Sequence, residues 1–221
     1  MISGFKDTLA LRQSIIDGCL AMNASGINQG TSGNISVRTD AGMLITPSGV
    51  DYAQLHPDML VLMPLDDTSI APNQMKPSSE WRFHRDILKA KPAVSAVVHA
   101  HPVYCTALAM NHMEIPSCHY MVAAFGGDTV PLADYALFGT EALSVHVLAA
   151  LQNRSACLMA NHGAVVTGDS LERALWRMTE LETLAKGYVT ALTVGQPKLL
   201  GKVDMSAVQQ AFSDYGLKTD A

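Results

Sequence analysis

"NISVRTDAGMLIT", residues 34–46, decides the class of fold. Ile35 and Val37 alternate with polar residues, which is the period of a strand with one buried face. "TDAG" (39–42) supplies turn residues, and "MLIT" (43–46) returns to apolar sequence. Strands joined that tightly run antiparallel, because a parallel partner needs a long crossover. A chain that mixes this hairpin with helices is not a regular βαβ repeat, so its sheet is expected to be largely antiparallel.

Working outward, residues 6–25 read as an amphipathic helix. Leu9, Ile15, Ile16, Cys19, Leu20 and Met22 share a face, and Gly26 marks its stop. "MLVLMPL" (59–65) reads as a buried strand, with Asp66 and Asp67 in a turn. Pro77-Ser78-Ser79 opens a helix to about Ala90, with a serine cap and Glu80 in the first turn; Lys91-Pro92 ends it. "AVSAVVHAH" (93–101) is a further strand. Residues 103–111 and 118–124 read as short helices, and 139–153 as a longer one. "ACLMANHGAVVTG" (156–168) is a strand, a sharp break and a second strand. A long helix follows over 170–195 with Ser170 as cap, and a short one over 205–215. No repeat or linker divides the chain. One α/β domain over residues 1–221 is expected, with a central, largely antiparallel sheet and helices on both faces.

Composition narrows the function. With 48% hydrophobic and 16% charged residues, the 221-residue chain can bury a substantial core. A net charge of -5 without a basic stripe argues against nucleic acid and anionic membranes. No apolar run reaches a membrane span, and charges break up the N-terminus, so neither span nor signal peptide is expected. Cys19, Cys105, Cys118 and Cys157 form no CxxC pair and read as buried, reduced thiols of a cytoplasmic protein.

"VVHAHP" (97–102) places His99 and His101 two apart at the end of an apolar run, so both project from one face of a strand. Buried imidazoles need partners: neighbours satisfy them, or they bind something. His162, in "NHG", closes another apolar run beside Gly163. Three neutral imidazoles with an open fourth position describe a catalytic zinc site, although a single histidine at a strand end is more often a satisfied core residue. His56, His84, His112, His119 and His146 read as surface or helix polar groups. Glu80 alone reads as a surface glutamate at a helix start; beside a metal it could be a general base or acid. "GTSGN" (30–34), "TPSG" (46–49) and "PSSE" (77–80) each read as turns, yet together hold the parts of a lysine-free phosphate cradle.

These pieces stand in a recognisable order. "NQGTSGNISVR", "GMLITPSGV", "PSSEWRFH", "AVVHAHPVYCTA", "IPSCHYMVAAFGGD", "YALFGT", "NHGAVV", "LERALW" and "YGL" run through nearly the whole chain. The sequence resembles the class II aldolase/adducin family. The resemblance implies a Zn2+ held by His99, His101 and His162, with Glu80 as catalytic acid/base. It assigns phosphate binding to Gly33, Asn34, Ser48, Gly49, Ser78 and Ser79. It makes Tyr120 an acid/base at the aldehyde oxygen and Tyr215 a second active-site tyrosine; without it both read as packing residues. It implies a cyclic homotetramer with active sites between subunits. The reaction implied is cleavage of a ketose 1-phosphate, of the L-fuculose 1-phosphate kind, to dihydroxyacetone phosphate and an aldehyde through a zinc-stabilised enediolate. Pro102, directly after the second histidine, departs from the pattern in detail. The family also holds sugar-phosphate 4-epimerases, with aspartate in place of Glu80, a dehydratase, a decarboxylase, and the non-catalytic adducin head, which lacks the metal ligands.

Overall fold

The computed structural model describes residues 5–214. Its frame is a seven-stranded sheet of strands β1 (Asn34–Thr39), β2 (Gly42–Ile45), β3 (Val61–Met63), β4 (Ala96–Ala100), β5 (Leu132–Ala133), β6 (Ala156–Met159) and β7 (Gly163–Gly168). The spatial order is β3-β2-β1-β4-β7-β6-β5. Only β5 pairs parallel to its neighbour, β6; every other pairing is antiparallel, as the first hairpin foretold. β1 and β2 meet in register Thr39↔Gly42, and Gly42 takes a positive φ of 141° to make that turn.

Helices cover both faces. On one lie α1 (Leu9–Ala24), α3 (Val103–Met110), α5 (Leu171–Val194) and α6 (Lys202–Asp214). Their apolar sides close on Ile35, Val37, Val98, Ala100, Leu158, Ala164 and Val166. On the other lie α2 (Trp81–Ala90) and α4 (Glu141–Ala150), packed over Met43, Ile45, Val97, Cys157, Met159 and Val165. The alternation is strict: Val97 faces α2 while Val98 faces the opposite layer, so His99 points with Val97 toward α2.

Several boundaries differ from the sequence reading. The apolar run 59–65 yields only the three residues of β3, because 57–59 coil as a 3-10 turn first. Residues Tyr120–Phe125 form a 3-10 helix, and α6 begins at Lys202 rather than Met205. Helix α2 begins one residue later than expected. Glu80 occupies its capping position without capping it, and the Ser78 Oγ instead accepts from the Glu80 N–H at 3.3 Å. The glutamate side chain is therefore free to turn inward. Among the described residues no helix is long and apolar enough to cross a membrane.

Candidate active site

His99, on β4, is 0% exposed, and His101 lies just past the strand's end on the same face. The β4–β7 ladder pairs Ala100 with Ala164, which brings the break between β6 and β7 alongside. That break is tight: Asn161 takes φ 54°, and the His162 N–H donates to the Met159 carbonyl at 3.0 Å. Gly163 is required there, since a Cβ would fall 2.5 Å from the Ala100 oxygen and 2.7 Å from the His101 ring. The result is a triangle of imidazoles. Ring centroids lie 4.9 Å apart for His99–His101, 4.9 Å for His99–His162 and 5.0 Å for His101–His162. One nitrogen of each lies within 4.8 Å of the others. His99 Nδ1 donates to the Ala164 carbonyl at 2.9 Å, which leaves its Nε2 for the centre.

Glu80 enters from the N-terminus of α2 and is 5% exposed. Its Oε2 lies 3.1 Å from His99 Nε2 and its Oε1 3.3 Å from His162 Nε2. Burial would raise its pKa, but the His99 and His162 imidazoles and the Asn34 amide outweigh that and hold the carboxyl well below its usual range. Burial is also the main force on His101 and His162. With neighbouring His99 it lowers each to about 4, so both are neutral near pH 7, the form that ligates metal. Burial pushes His99 the same way, but Glu80 and the Ala164 carbonyl reverse it and its pKa is raised. Glu80 Oε1 is buried with no hydrogen-bond partner. Converging nitrogens, an ionised carboxylate and one unsatisfied buried oxygen suit a divalent cation. Among the described residues no other such grouping of histidine, cysteine and acidic side chains occurs.

The three loops meet at the same place. An isolated bridge, Pro47↔Pro77, zips the second loop to the third: Ser48 N–H donates to the Lys76 carbonyl at 3.0 Å, Ser78 N–H to the Thr46 carbonyl at 2.9 Å. Gly33, Asn34, Ser48, Gly49, Ser78 and Ser79 all line one cavity of about 350 Å³ with Glu80, His101 and His162. Among the described residues no lysine or arginine lines it; beside Glu80 and the two imidazoles its polar groups are hydroxyls, amides and backbone. Tyr135, Ala136 and Phe138 close another side, and Phe138 is largely exposed.

Residues 13–189 match the Class II Aldolase and Adducin N-terminal domain family. The chain belongs to that family. It is 44% identical over 211 residues, 95% of this chain and 97% of the other, to the L-fuculose phosphate aldolase of Escherichia coli K12. It is equally similar, 44% over 208 residues (94% and 93%), to the 5-methylthioribulose-1-phosphate/5-deoxyribulose-1-phosphate aldolase of Rhodospirillum rubrum. A solved L-fuculose 1-phosphate aldolase superposes with a TM-score of 0.89 at 32% identity, over 93% of this chain and 97% of that one. With such relatives across its length, this class II chain is an enzyme, an aldehyde-lyase.

Of the two tyrosines that the class II resemblance implicates, one stands outside this cavity and the other is not among the described residues. Tyr120 is half exposed and lines a separate cleft, its ring 4.7 Å from His119 and 6.4 Å from Phe212. Tyr215 lies outside the described residues. Pro102 stands at the N-terminus of α3 with extended backbone, and the side chain of Glu182 caps the helix in its place. Sequence reasoning missed two site residues. Tyr52 is buried, and its hydroxyl donates to the Gly33 carbonyl, fixing the first loop. His84, read as a surface or helix polar group, lies on α2 but is 0% exposed and bonded to Ser36 and Asn34. Its spacing of four from Glu80 on a helix was the available signal, since such residues share a face.

Proposed function

We propose that this protein is a zinc-dependent aldolase that cleaves a ketose 1-phosphate to dihydroxyacetone phosphate and an aldehyde. One observation carries the reading: His101 and His162 of the imidazole triangle, Glu80 and all three small-residue loops line a single cavity, with His99 buried beside them. His99, His101 and His162 would hold the cation. When bound, it acts as a Lewis acid that draws negative charge toward the substrate's oxygens during cleavage.

The remaining work falls to the chain. Hydroxyls and backbone groups of Gly33, Ser48, Gly49, Ser78 and Ser79 receive the phosphate and so orient the sugar. Asn34 belongs to this grip by its position only, because its side-chain amide is already committed to Glu80 and His84. A base removes the proton of the C4 hydroxyl, that oxygen becomes the aldehyde, and the C3–C4 electron pair stays with the three-carbon fragment. Glu80, ionised at rest, takes up a proton from solvent and delivers it to C3 of that fragment. We assign the first proton to Tyr120 of a neighbouring copy, with Tyr215 alongside, in a homotetramer. The separation of Tyr120 from its own chain's cavity supports this. Free cysteines, three of them buried, accord with a cytoplasmic setting.

Equal likeness to two kinds of aldolase sets the substrates to compare: L-fuculose 1-phosphate and 5-methylthioribulose or 5-deoxyribulose 1-phosphate. Zinc-loaded protein is incubated with each while dihydroxyacetone phosphate, aldehyde and carbon dioxide are followed. Equal release of the first two, abolished by a chelator and restored by zinc, is the expected result. Carbon dioxide release, or an epimer with no cleavage, would overturn it.

A further inference from the structure

A buried hydrogen-bonded chain leads away from the active-site carboxylate. Asn34 Nδ2 donates to Glu80 Oε2 at 3.0 Å, and Asn34 Oδ1 lies 2.5 Å from His84 Nε2. His84 Nδ1 lies 2.8 Å from Ser36 Oγ. All four residues are at most 5% exposed. From the structure we propose that His84 is a positioning residue, which fixes the orientation of Asn34 and through it the carboxylate of Glu80. The proposal rests on Glu80 being the acid/base.

One proton arrangement satisfies every member. An ionised carboxylate only accepts, so Asn34 must turn its NH2 to Glu80. Its carbonyl oxygen then faces His84 and needs a donor, so His84 carries its proton on Nε2. Nδ1 is left as an acceptor for the Ser36 hydroxyl. Reversing the Asn34 amide would set its oxygen against the carboxylate and its NH2 against an N–H, which is repulsive at both ends. Burial, with His99 adding to it, lowers the His84 pKa to about 3, so the ring is neutral as the arrangement requires. Asn34 also opens β1 opposite His99, so the amide is anchored to the strand that carries a metal ligand. Glu80 has no helix-capping bond to hold it. Asn34 is thus the neutral hydrogen-bond donor that sets its rotamer.

The test compares His84→Phe, which removes both ring hydrogen bonds, with His84→Gln, whose amide can restore the donor to Asn34. In zinc-loaded enzyme His84→Phe is expected to lower kcat roughly 10–100-fold with KM little changed, and His84→Gln to recover most of it. Placed in a Glu80→Gln background, His84→Phe should add no further loss. In metal-free protein the Asn34 side-chain NH2 signals should lose protection from solvent exchange in His84→Phe alone. Additive losses, or unchanged amide protection, would overturn the proposal. Normal turnover in Glu80→Gln would instead overturn the acid/base reading. Should His84→Phe fail to fold, Ser36→Ala takes its place: several-fold lower kcat with weakened amide protection supports the relay, and wild-type values for both refute it.

Discussion

At the scale of single residues, the structure divides eight histidines by what surrounds them rather than by their neighbours in sequence. His99 and His101 were legible because strand period alone puts them on one face. His84 was not read, because its hydrogen-bond partners lie 48 and 50 residues away and only its spacing of four from Glu80 hinted at a shared face. The roles make different predictions. His101→Ala sits beyond the end of β4, so the fold should survive while bound zinc, measured by mass spectrometry, and turnover each fall by at least about tenfold. Full zinc retention would remove His101 from the ligand set. Glu80→Gln should keep zinc yet lose roughly 10²–10⁴ in kcat, because an amide cannot shuttle a proton. His84 makes a prediction of another kind, in the pH dependence of stability. Its folded pKa, about 3, lies below the ordinary 6.5. Below pH 6.5 the unfolded chain therefore binds a proton that the native chain refuses, and stability falls with pH until about pH 3. In metal-free protein, wild type should lose about 1.4 kcal/mol per pH unit relative to His84→Gln between roughly pH 6 and 4. Urea midpoints that stay parallel for the two proteins would contradict this.

At the scale of elements, the long or strongly patterned segments were readable and the short ones were not. The hairpin of β1 and β2, the strand–break–strand of β6 and β7, and helix α5 with its Ser170 cap stand where their patterns put them. β5 has two residues and exists only because β6 offers it a ladder, so no periodicity could reveal it. Helix α3 shows how an element can serve the site from outside. It starts directly after His101 with Pro102, which offers no side-chain cap. Both oxygens of Glu182, carried on α5, accept from the Tyr104 and Cys105 N–H groups at 2.9 Å. A carboxylate at a helix N-terminus satisfies orphan donors and opposes the dipole. Glu182→Ala should therefore cost about 1–2 kcal/mol of stability, read as a lower denaturation midpoint. The same variant should bind zinc more weakly, because the turn that carries His101 is loosened. A midpoint equal to wild type would show that water replaces the cap at no cost.

At the scale of the whole molecule, one chain supplies the ligand triangle, the carboxylate and the loops, while Tyr120 stands on a different cleft. Sequence could order these motifs along the chain. It could not say which of them one copy brings together, because residues distant in sequence can meet within a chain or between chains. The proposed homotetramer makes that distinction measurable. If each site takes Glu80 from one subunit and Tyr120 from the next, two variants, each defective alone, can complete one another. Tyr120→Phe supplies a working Glu80, and Glu80→Gln supplies a working Tyr120. In a ring assembled at random from equal amounts, a site is whole when the first variant precedes the second, which happens in about a quarter of the interfaces. Unfolding and refolding the mixture should therefore raise activity to roughly a quarter of wild type, far above either variant refolded alone. Mixing without refolding should give nothing until subunits exchange. If both groups belonged to one chain, no pairing could unite them, and the mixture would stay at the level of its parts.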